Sequence, residues 1–136
     1  MSEEVTILAK TIFGEAHAQK LSAMEAIANV VMNRVRHAQK VGSYWWGMTP
    51  KEVCLKPLQF KCWQYTDYLD PKKDETLKNN KVYKVCERLA KRAITGFLKD
   101  NTKGATHFHH LDEHPAWAAK AVPCAQIGGF LFYAHV

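Results

Sequence analysis

The chain reads as one α+β domain, mainly helical, with a small antiparallel β-sheet near its C-terminus. Apolar residues recur at helical spacing as far as Phe97, and period-two alternation appears only after Ala105. A length of 136 residues, 47% of them hydrophobic, is enough to bury one core without disulfides. There are no internal repeats, low-complexity tracts or linkers, so residues 1–136 are taken as a single domain.

The first helix carries Val5, Leu8, Ala9, Ile12, Phe13 and Ala16 on one stripe, with Ser2 as N-cap. Ser22 with Glu25 forms a capping-box pattern that opens a second helix. Ala23, Ala26, Ile27, Val30 and Val31 make its inner face, Arg34 shares that face, and Asn33 lies on its flank. A loop from Val41 to Tyr44 leads into Trp45 and Trp46. Thr49-Pro50-Lys51-Glu52 then predicts a short helix to about Leu55, which Pro57 stops.

Leu58 to Trp63 reads as an irregular aromatic segment, and Asp70-Pro71-Lys72-Lys73 as a polar turn. From Asp74 a long helix is predicted to about Phe97, with Val82, Val85, Cys86, Leu89, Ala90, Ala93 and Phe97 inward. Its outer row is Lys81, Lys84, Arg88, Lys91 and Arg92. Gly96, Asp100, Asn101 and Gly104 mark a turn. Ala105 to His110 and Ile127 to Tyr133 are then expected to pair, with a loop holding Asp112, Glu113, Pro115 and Trp117 between them.

The net charge of +6 implies attraction to an anionic partner: nucleic acid, a lipid surface or a bacterial wall. No apolar run approaches the length of a membrane span, so membrane insertion is not expected. Ser2, Glu3 and Glu4 follow Met1 with no basic n-region, and synthesis in the cytoplasm without a visible signal peptide is expected. Cys54, Cys62, Cys86 and Cys124 show no zinc-like spacing and read as structural thiols.

Three constellations carry possible chemistry. Glu15 sits at the edge of the first apolar stripe beside Leu8, Thr11 and Ile12. A carboxyl held there against apolar surface keeps its proton towards neutral pH, as a general acid must; in the plain structural alternative, it reaches solvent. Trp45, Trp46, Phe60, Trp63, Trp117 and Tyr133 offer rings, and Gln59 and Asn33 offer amides, a combination suited to sugars. Alternatively, His107 and His109, two apart on a strand, could hold a zinc ion in a metal-dependent hydrolase. A Cys/His pair, Cys62 or Cys124 with His107, is a third arrangement. No G-x-S-x-G and no phosphate-cradling glycine loop is present.

Leu8 to Ala16 with Ala26 to Val35 resembles the catalytic domain of SleB/CwlJ-type cell-wall hydrolases, the spore-cortex-lytic enzymes and their phage relatives. Gln59-Phe60, Ala105 to Phe108, Trp117, Ile127-Gly128 and Phe132-Tyr133 continue the resemblance in order over nearly the whole chain. It implies a lysozyme-like fold, cleavage of peptidoglycan glycan strands, and Glu15 as catalytic acid. It also places Gln59, Phe60, Thr106, His107 and Tyr133 around the cleft, with Asn33 and Trp117 as further candidates and Asn33-Arg34 as a signature. The chain departs from the pattern at His17 and Ala18, where the family commonly has Arg and Gly, and at Lys61, where a small polar residue is usual.

Hydrolysis by a retaining or inverting glycosidase needs two carboxylates. Only Glu15 is matched by a motif; Glu25 is assigned to a cap, and Asp112 and Glu113 lie in a loop of unknown reach. Lytic transglycosylation by Glu15 is therefore the expected reaction, with 1,6-anhydromuramyl products and no metal or cofactor. The expected partner is bacterial peptidoglycan, met by a monomer at the wall after phage-type release or loading into a particle or spore. A basic nucleic-acid-binding module built on the outer row of the last helix is the reading from a different class, though no nucleic acid is expected.

Overall fold

The computed structural model describes residues 2–68 and 70–136. Among them, α1 (Glu3–Ala16), α2 (Leu21–Val41), α3 (Pro50–Leu55), α4 (Cys62–Tyr65), α5 (Pro71–Leu77) and α6 (Lys81–Ile94) precede β1 (His107–His110), β2 (Ala125–Ile127) and β3 (Phe130–Tyr133). The mainly helical α+β architecture is as predicted.

α1 is the central post, packed on α2, α3 and α6. Leu8, Ala9 and Ile12 meet Ile27, Val30, Val31 and Cys86 there, all fully buried. Each aliphatic side chain so buried contributes about 1.5–3 kcal/mol. Ser2 Oγ accepts from the Val5 amide at 3.2 Å, the cap expected of it. Lys10 is also inside: its Nζ reaches the Tyr68 carbonyl at 2.6 Å and Asp74 at 2.7 Å, pinning the start of α5 to the post.

Three boundaries differ from expectation. α2 begins at Leu21 behind Lys20, which makes no side-chain cap, so the Ser22–Glu25 box is not formed. The polar turn at Asp70 is the start of a helix: Asp70 accepts from the Lys72 amide at 3.0 Å, and Pro71 takes the first helical position. The long helix from Asp74 to Phe97 is two helices, because Asn80 accepts from the Tyr83 amide at 3.0 Å and restarts the chain as α6. This register buries Tyr83 and leaves Val82 and Phe97 outside, against the predicted inner face. The basic row of α6 is exposed throughout.

The sheet is antiparallel, in the order β1-β3-β2. The single β-prone stretch predicted over 127–133 breaks at Gly128, whose φ is +58°, and doubles back as a hairpin. Phe108 pairs with Phe132, and His110 with Phe130. Paired residues share a face, so this face enters the core, while His107, His109 and Tyr133 share the other.

Candidate active site

Glu15 comes from the last turn of α1. Its neighbour Gly14 matters because a Cβ there would lie 2.4 Å from the Cβ of Cys62. Without it, the start of α4 closes onto α1. The Cys62 amide then donates to Glu15 Oε2 at 2.9 Å, and Trp63 Nε1 donates to Thr11 Oγ1 at 3.0 Å. Burial raises the Glu15 carboxyl above its ordinary pKa of 4.5; the Cys62 amide and thiol, and then His110 and Lys61, oppose that rise without cancelling it.

Beside it runs a groove of about 770 Å³. Leu58, Gln59, Lys61 and Gln64 form one wall; His107, His109, Glu113 and Trp117 form the other. Glu15 is not itself part of either wall. It adjoins the groove through Lys61, whose charge acts on it. Lys61 in turn pairs with Glu113 on the opposite wall.

Arg34 holds the two walls in place. It is 4% exposed, and its Nε donates to the Thr106 carbonyl at 2.7 Å while Nη1 donates to Gln59 Oε1 at 3.2 Å. The guanidinium lies 4.8 Å from the Trp46 ring centre and 5.7 Å from that of Phe60. Burial lowers its pKa to about 10, so it stays charged at neutral pH.

His107 lies between Trp46 and Trp117, with ring centres at 6.0 and 5.3 Å. Burial, and then the charge of Arg34, lowers its pKa to about 4 from an ordinary 6.5. The ring is therefore neutral wherever the wall is near neutral pH. Below pH 6.5 the unfolded chain binds a proton that the folded ring refuses until about pH 4, so this group's contribution to stability falls over that window as pH drops. Histidine NMR should show His107 titrating near pH 4, and a midpoint near 6.5 would contradict the burial assigned to it.

His109 is fixed differently. Its Nδ1 lies 2.7 Å from the His110 carbonyl, which can only accept, so in the neutral ring Nδ1 carries the hydrogen and Nε2 accepts from the Tyr133 hydroxyl at 2.7 Å. Both nitrogens are thereby engaged, and among the described residues no group of three His, Cys, Asp or Glu could hold a metal. The two-histidine zinc arrangement thus lacks its ligands. Of the two cysteines that could serve with His107, burial pushes Cys62 well above the ordinary thiol value, away from the thiolate that a nucleophile needs, and Cys124 donates to the Thr102 carbonyl at 3.1 Å.

The structure divides the candidate residues into two sets. Gln59, His107 and Trp117 line the groove. Phe60 and Tyr133, at 2% and 4% exposed, lie behind it: Phe60 packs on Phe108, and Tyr133 supports His109. Thr106 and Asn33 open onto a second cavity of about 460 Å³, which shares His107 with the first.

The Asn33 amide is occupied with Asp100 at 3.0 Å and the Ala105 carbonyl at 2.9 Å. Burial raises the proton affinity of Asp100, but hydrogen bonds from Thr102, Asn33 and Gly104 outweigh it and set its carboxyl below the ordinary value. This knot anchors the turn that delivers β1.

Sequence reasoning missed Leu58 on the groove, 80% exposed, whereas Trp45, 51% exposed, lies there as one of the rings expected to suit sugars. Leu58 has φ +68°, unusual for a side-chain-bearing residue, and the preceding Pro57 is the one local hint of a turn.

The cell wall hydrolase family matches residues 18–133, a span that begins just after Glu15. Among solved structures, the catalytic domain of the germination-specific lytic transglycosylase SleB from Bacillus anthracis superposes with a TM-score of 0.71 at 21% identity, covering 98% of this chain and 96% of that one. The catalytic domain of the Bacillus cereus SleB protein gives 0.67 at 20% identity, over 96% and 88%. No curated protein matches. The fold is that of the SleB catalytic domains, and with residues 18–133 matched this chain belongs to the cell wall hydrolase family, as an enzyme that cleaves peptidoglycan.

Proposed function

We propose that the protein is a peptidoglycan lytic transglycosylase with Glu15 as its general acid. The observation that carries this reading is a half-buried carboxyl with raised proton affinity, gripped by the amide of Cys62, whose neighbour Lys61 lines a ring-bearing groove. Trp45, Trp117 and Leu58 supply apolar surface for sugar faces, and Gln59 and the neutral His107 supply polar contacts for their rims. The net charge of +6 favours attachment to an anionic wall, where we place its action.

In this mechanism Glu15 gives its proton to the glycosidic oxygen following a muramyl residue. The bond from that oxygen to the anomeric carbon breaks, and its electron pair leaves with the departing sugar. The muramyl 6-hydroxyl then bonds to the anomeric carbon and returns a proton to Glu15, which is thereby reset. The structural kinship to the germination-specific lytic transglycosylase SleB agrees with this course. Mass spectrometry of digested sacculi should find 1,6-anhydromuramyl ends; reducing muramic ends alone would reject the transglycosylase reading in favour of hydrolysis.

A further inference from the structure

Among the described residues that line the groove, Glu113 is the one carboxylate. The loop after β1 brings it there. Its Oε1 accepts from the His110 amide at 3.0 Å, and its Oε2 pairs with the Lys61 ammonium from the opposite wall. His110 and Lys61 also act electrostatically on Glu15, so the two carboxyl groups flank the same pair of residues. Glu113 is thus a second carboxylate in the neighbourhood of the acid, with an ammonium bound to it.

We propose that Lys61 is a positioning residue that, by holding Glu113 in an ion pair, withholds the groove's second carboxylate from water and so directs capture of the cleaved glycosyl centre to the muramyl 6-hydroxyl. The inference rests on the reading of Glu15 as acid. Once the glycosidic bond is broken, two oxygens compete for the anomeric carbon. If the 6-hydroxyl bonds, its proton passes to Glu15 and an anhydro end forms. If water bonds, it gives up one proton; a free Glu113 carboxylate would take that proton, leave a reducing end and pass it to solvent, from which Glu15 is reprotonated.

The ammonium occupies Oε2 and leaves Oε1 bound to the His110 amide, so neither oxygen is open to water. Lys61 and Glu113 keep 59% and 30% of their side chains exposed, and ion pairs so placed hold weakly. The pair therefore governs where Glu113 points more than whether the protein folds.

The test is the ratio of reducing to anhydro muramyl ends released from purified sacculi, read with thermal melting of each variant. Lys61→Ala, and Lys61→Gln as a second variant of similar length, should raise the ratio about tenfold or more, since a positioned base contributes ~10²–10⁴-fold. Lys61→Ala combined with Glu113→Gln should return it to the parent value. An unchanged ratio in both Lys61 variants, or a raised ratio that persists in the double variant, overturns the assignment of Lys61 while leaving the acid intact. Full activity in Glu15→Gln overturns the acid itself, so the two failures are distinguishable.

Discussion

Glu15→Gln is expected to slow release of wall fragments by ~10²–10⁴-fold, the usual contribution of a general acid, while the protein still folds. The amide can accept from the Cys62 N–H as the carboxylate does, so α4 stays docked on α1. What is lost is the transferable proton. The parent's activity should also fall as pH rises through the raised Glu15 pKa, because the acid form disappears above it.

The stability change has its own sign. A carboxyl whose folded pKa lies above 4.5 stabilises the protein most below the unfolded value and loses that contribution as pH rises through the folded one. Glu15→Gln should therefore flatten that part of the stability profile and cost nothing at neutral pH. Clearing of sacculi by the variant at near the parent rate would remove Glu15 from the mechanism.

Arg34→Met should produce the largest loss of stability, about 3 kcal/mol in urea unfolding, since bonds from a charged donor are worth ~1.5–3 kcal/mol each and two are lost at half-buried acceptors. The Thr106 carbonyl, next to His107 of one wall, and Gln59 of the other would both lose their donor. Activity should fall with stability because β1, which carries His107, is tied down one residue away at Thr106. Arg34→Lys should recover only part of this: a single ammonium cannot span both acceptors as a guanidinium fork does. Unfolding of Arg34→Met within about 1 kcal/mol of the parent would show that the two walls are held by something else.

Much of the frame was legible from local pattern. The Ser2 cap, the stripe from Val5 to Ala16, the α3 start at Thr49-Pro50 and the pairing of β1 with the C-terminal strand are all written in neighbouring residues, and the fold class follows from them. The errors were local signals read with the wrong weight. Asn80 restarts a helix that periodicity alone runs through, and Gly128-Gly129 turns one β-prone stretch into two strands. Ser22 offered a capping box that the chain does not use, since the helix has already begun at Leu21.

The groove was legible only in part, for a different reason. Sequence alone determined that a carboxylic acid stands at the edge of an apolar helix face and that rings, amides and histidines occur further along. A side chain's neighbours within a helix or strand follow from its periodicity, so those conclusions needed no coordinates. The approach of Cys62 to Glu15 past a bare Gly14, the burial of Phe60 and Tyr133 behind the groove, the engagement of both His109 nitrogens, and the meeting of Lys61 with Glu113 were decided by packing between segments dozens of positions apart. Contacts of that kind depend on how helices and strands cross in space, and no spacing along the chain encodes them.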